Sequence, residues 1–95
     1  MTKWSVGIEA AGDVVMQREQ IVELADAVAT VGGIASGIGE PRYGATLLVE
    51  ARTREEAIDK AMGHFRAAAE QAGLPEWPVT TVEATSEDEI DPEDW

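Results

Sequence analysis

Cysteine is missing from all 95 residues. That absence removes disulfides, thiolate metal ligands, thiol nucleophiles and cysteine-bound iron–sulfur clusters together, and it suits a reducing compartment. Basic residues are scarce too, 7 against 19 acids, for a formal net charge of -12. So acidic a surface repels phosphate backbones, and direct nucleic-acid binding is not expected. Aromatic rings number only five (Trp4, Tyr43, Phe65, Trp77 and Trp95), a poor supply for the base-stacking sheets of RNA-binding domains. No basic stretch leads into an apolar run, and no apolar run is long enough to span a bilayer. The expectation is a cytoplasmic protein without membrane attachment.

What remains is enough for one domain. The chain is 44% hydrophobic, ordinary for a globular protein, and its length suits a single modest core. Six acids (Glu87, Asp88, Glu89, Asp91, Glu93 and Asp94) follow Thr85 with no base among them, whereas residues 1–84 hold 13 acids and 7 bases. Half the charge excess therefore sits in the last residues. The division expected is a folded domain over 1–84 and an acidic, flexible tail over 85–95. Such a tail reads as a solvated extension, an interaction segment or a mimic of nucleic-acid charge.

Trp4, Val6 and Ile8 alternate with Ser5, Gly7 and Glu9, the period of a half-buried strand. Gly12 and Asp13 mark a turn. Ile21, Leu24, Ala25, Val28 and Val31 then recur at spacings of three and four, which predicts an amphipathic helix ended by Gly32-Gly33. Ile34 to Ile38 is a short, glycine-interrupted strand suited to a sheet edge. A turn at Gly39-Glu40-Pro41-Arg42 leads into the strongest strand pattern, with Tyr43, Ala45, Leu47, Val49 and Ala51 on one face. Thr53 to Glu56 fits a reciprocal capping box. The helix it opens points Ala57, Ile58, Ala61, Met62, Phe65, Ala68, Ala69 and Ala72 inward, and Gly73 and Pro75 end it. Val79 to Ala84 is a last strand. The order β-α-β-β-α-β predicts an α+β, ferredoxin-like fold, with a four-stranded antiparallel sheet in the order 4-1-3-2 and both helices on one face.

No catalytic residues and no metal ligands are assigned, and no cofactor is expected. His64 is the lone histidine, without a partner base or ligand set, and reads as a boundary residue on its helix. Gly63 beside it is unusual in a helix interior, and admits a close approach by a strand or a partner chain. Glu9 and Glu50 alternate onto the open sheet face but toward opposite ends, a poor acid–base pair. That face should display Ser5, Gly7, Thr46 and Leu48, with Thr80 or Thr81 alongside, and these residues form the candidate dimer face. Arg18, Arg42 and Tyr43 gather near the first loop and the start of the first helix, which makes them the candidate contacts for a small anion.

The run Ala72-Gly73-Leu74-Pro75-Glu76-Trp77-Pro78-Val79, continuing through Val82-Glu83 and Glu87-Asp88-Glu89, resembles a stretch of uncharacterised small actinobacterial proteins. Arg42-Tyr43 followed by Ala45-Thr46-Leu47 to Glu50-Ala51, and the Glu55-Glu56-Ala57 helix start, resemble the same group. The resemblance covers most of residues 4–89 and implies a bacterial, ferredoxin-like sensing or dimerising domain. Some longer members of the group carry a helix-turn-helix module. This sequence reaches Trp95 without one, and a DNA-reading role is not carried over.

The leading expectation is a non-enzymatic dimerisation, regulatory or protein-interaction domain, acting as a homodimer or meeting a protein partner through its tail or a sheet edge. A small cofactor-independent enzyme or small-molecule-binding domain is the second reading. An acidic nucleic-acid mimic is the third.

Overall fold

The computed structural model describes residues 2–30 and 32–86, and residues 87–95 of the acidic tail, with Trp95, lie outside them. The elements are β1 (Thr2–Ala11), α1 (Arg18–Ala29), β2 (Ile34–Ser36), β3 (Arg42–Ala51), α2 (Arg54–Gln71) and β4 (Val79–Ser86). They form one antiparallel sheet in the order β2-β3-β1-β4, the ferredoxin-like βαββαβ arrangement read from the sequence.

Strict alternation produces this sheet. On β1, Trp4, Val6, Ile8 and Ala10 are buried. On β3 the buried set is Tyr43, Ala45, Leu47, Val49 and Ala51. The register pairs these sets across the central strands, Val6 with Leu47 and Ile8 with Ala45, so one sheet face is almost wholly apolar. Both helices cover it. Ile21, Leu24 and Val28 of α1, and Ala57, Ala61, Phe65, Ala68 and Ala69 of α2, complete the core. Val31, from the predicted apolar series of α1, lies outside the described residues. Alanine fills much of the α2 stripe, which lets that helix lie close to the sheet. The buried Trp4 indole donates Nε1–H to the Ala51 carbonyl at 3.2 Å, so its polar edge is satisfied.

Three local details differ from the sequence expectation. β2 stops at Ser36 instead of reaching Ile38. Gly37 there takes φ +129°, and a Cβ on it would lie 2.4 Å from the Arg42 carbonyl oxygen, so the backbone has left the extended path. The capping box at α2 is only half made. Thr53 Oγ1 accepts from the Glu56 amide at 3.1 Å, but the Glu56 carboxylate accepts from the Arg52 amide at 3.4 Å, one residue before the cap. β4 runs two residues past Ala84, because Thr85 pairs with Ser5 and Ser86 with Trp4. Ser86 is buried.

Helix α2 ends abruptly. Gly73, at φ +72°, donates to Glu70 and Leu74 donates to Ala69, which closes the helix in a Schellman turn. The chain then crosses at once toward the outer strand β4.

Candidate functional site

Two surfaces stand out. The first is the sheet face opposite the helices. Reading across the register, it carries Ser5 against Leu48, Gly7 against Thr46, Glu9 against Gly44 and Lys3 against Glu50. β4 adds Thr81, Glu83 and Thr85, and β2 adds Ile34 and Ser36. Of the two sequence options for β4, Thr81 is the one on this face, opposite Glu9. The Thr80 hydroxyl donates to the Glu9 carbonyl at 3.3 Å instead.

The candidate dimer residues Ser5, Gly7, Thr46 and Leu48 occupy adjacent positions in the middle of this face. Leu48 projects from it, 52% exposed, with Ile34 exposed nearby. Where Gly7 supplies no side chain, a hollow of about 180 Å³ opens between Glu9, Ser36, Thr46, Thr81 and Glu83. Glu9 lies opposite Gly44 and Glu50 opposite Lys3, so the two carboxylates stand at opposite ends and do not meet.

Of the candidate anion contacts, Arg42 and Tyr43 do not share a face of the sheet. Arg42 and Tyr43 are neighbours on one strand and so point to opposite faces. Arg42 lies on the open side, where Nη1 meets Glu9 Oε1 at 3.3 Å and Nε meets Glu40 Oε2. The hydrogen bond and charge of Arg42 hold the Glu40 carboxyl below its usual range. Arg18 is exposed at the first position of α1. His64 and Gly63 are exposed on α2, and nothing lies within 4 Å of where a Gly63 Cβ would be. Among the described residues no group of three or more His, Cys, Asp or Glu is placed to hold a metal ion, and no helix is long and apolar enough to cross a membrane.

The second surface is a groove of about 810 Å³ on the helix side, between the last turns of α2 and the Leu74–Pro78 connection. Its floor is aromatic. Tyr43, only 2% exposed, lies 5.7 Å from Phe65 and is stacked on Trp77 at 5.6 Å between ring centres. The Tyr43 hydroxyl donates to the Pro75 carbonyl at 2.7 Å. Burial pushes its pKa up, the Trp77 backbone N–H opposes that, and the Glu76 carboxylate adds to it. Arg66 and Glu70 stand on the α2 wall and Glu76 on the connection. Among the described residues, neither Glu70 nor Glu76 has an ion-pair partner.

Sequence reasoning placed Tyr43 near the first loop but missed this groove. The available signal was a tryptophan between two prolines in a helix-to-strand connection, where a large ring has to find a floor. Comparison with protein-family models, curated proteins and solved structures finds no match to this chain.

Proposed function

We propose that the chain is a protein-interaction module that works as a homodimer through its open sheet face, without a catalytic role of its own. The observation that carries this reading is the side-by-side placement of a knob and a hollow. Leu48 projects beside the depression over Gly7, one diagonal step away across β1 and β3. A two-fold axis between them seats each Leu48 over the other copy's Gly7, the self-complementary arrangement an isologous interface needs.

Charge supports the same reading. The chain as a whole carries 19 acids and 7 bases, yet the charged strand residues on this face are Lys3 and Arg42 against Glu9, Glu50 and Glu83. A near-neutral face is the one a second copy of an acidic chain approaches at least electrostatic cost. Four strands at about 4.8 Å spacing, ten residues long at most, offer on the order of 500 Å² in plan. That is somewhat below the roughly 600–1,000 Å² per partner usual for a specific, stable interface, so the dimer should dissociate on dilution.

Sedimentation analysis over a concentration series tests this. The wild type should pass from monomer to dimer, and Leu48→Glu should remain monomeric. Gly7→Val should also remain monomeric while staying folded, since a Cβ at Gly7 meets nothing closer than 3.9 Å. A wild type monomeric at millimolar concentration, or a dimer indifferent to both changes, refutes the proposal.

A further inference from the structure

The groove over Tyr43 lies on the opposite side of the sheet from the proposed dimer face, so its role is independent of self-association. Its volume of about 810 Å³ falls in the range of ligand-sized sites, about 300–1,000 Å³. Three kinds of wall meet there. Tyr43, Phe65 and Trp77 form a rigid floor, Leu74, Pro75 and Pro78 give a low-entropy apolar side, and Glu70 and Glu76 stand at the rim.

Those two carboxylates decide the occupant. Among the described residues neither has a cation within ion-pair distance, although Arg66 lines the same groove. A neutral or acidic guest would leave them partly desolvated and uncompensated, which is unfavourable. A lysine or arginine side chain suits both parts at once, its aliphatic stem on the apolar wall and its charged head at the rim.

The groove reaches Val79, the first residue of β4. β4 is an outer strand, and no described strand pairs with its far side. Val82, halfway along it, is 38% exposed although it pairs with Ile8 of the covered face, so α2 leaves this edge open. An extended chain leaving the groove therefore meets a strand edge it can pair with, the geometry of strand-addition recognition beside a helix.

We infer that this groove binds an extended, basic segment of a partner protein, anchored by a bulky apolar side chain and held at Glu70 and Glu76.

A random octapeptide library selected on the full-length chain, followed by titration of the strongest binder, tests the inference. Enriched peptides should combine a large apolar residue with lysine or arginine. Binding should shift the Trp77 indole N–H resonance while leaving that of Trp4 in place. Glu70→Lys/Glu76→Lys should weaken the peptide by about tenfold or more, whereas Glu19→Lys/Glu23→Lys, the same charge change on exposed positions of α1, should weaken it by less than about threefold. Equal losses in the two variants would mean long-range attraction to an acidic chain, and would overturn the inference. So would enriched peptides without a basic residue, resonance shifts confined to the open sheet face, or no enrichment at all.

Discussion

The Trp77 indole lies so close against Gly12 that a Cβ at position 12 would sit 2.0 Å from Cε2 of the ring. The first loop and the last connection are thus locked together by a glycine that has no room to be anything else. The same indole stacks on Tyr43 from the groove side. Gly12→Ala must displace the ring, and overpacking of this kind costs about 1–3 kcal/mol. Urea denaturation should show that loss, and near-UV circular dichroism should show a changed tryptophan signal.

Gly63→Ala should do the reverse. Gly63 lies in the exposed interior of α2 without positive φ, and no atom waits within 4 Å of the new Cβ. Alanine is favoured over glycine in such a position by roughly 0.5–1 kcal/mol. For a domain of this size that corresponds to a rise in Tm of about 2–8 °C. A fall in Tm would show that some surface packs against this turn of the helix.

Tyr43→Phe removes the hydrogen bond to Pro75 and leaves its carbonyl to find another partner, at a cost of about 1–3 kcal/mol. Its pH signature is more specific. The folded-state pKa of Tyr43 is raised, chiefly by burial, above the ordinary 10.0. Above about pH 10 the unfolded chain therefore releases this proton first, and stability falls as pH rises through the unfolded and then the folded pKa. The stabilisation from the neutral, buried phenol is complete below that window. Stability measured from about pH 8 to pH 11 should fall more steeply for the wild type than for Tyr43→Phe. Parallel curves would mean that Tyr43 ionises as freely as in the unfolded chain.

Arg42→Gln should release Glu40. The carboxyl of Glu40 is held below its usual range by the Arg42 hydrogen bond and then by its charge. Without the guanidinium, an NMR titration of the Glu40 side chain should move up toward the ordinary glutamate value. An unchanged midpoint would mean that the pair is not formed in solution. Because both groups are exposed, the change should leave the melting temperature nearly unmoved.

The strands and helices were legible because each obeys its own period. Trp4, Val6 and Ile8 at every second position, and Ile21, Leu24 and Val28 at every third or fourth, admit one placement of the core. Sheet order followed from connection rules and from the two cleanest strands being central. The open face was legible for the same reason, since residues that alternate away from a core must face elsewhere. Less local features escaped. Gly37 ends β2 through its approach to Arg42, a contact across the turn that no periodicity signals. The groove depends on three rings from β3, α2 and the last connection meeting in space. Arg42 and Tyr43, adjacent in sequence, suggested a shared site, but strand alternation sends them to opposite faces.

The sheet order also has a consequence for synthesis. β1 is made first, yet its two neighbours are β3, which begins at Arg42, and β4, which ends at Ser86. The nascent apolar row Trp4, Val6, Ile8 and Ala10 therefore waits on the ribosome for partners encoded tens of codons downstream. Elongation proceeds at roughly 5–20 residues per second, so the wait lasts for seconds, far longer than the about 1–10 μs in which a local hairpin closes. Helix α1 is the first large apolar surface to emerge after β1, and it can shelter that strand before β3 arrives.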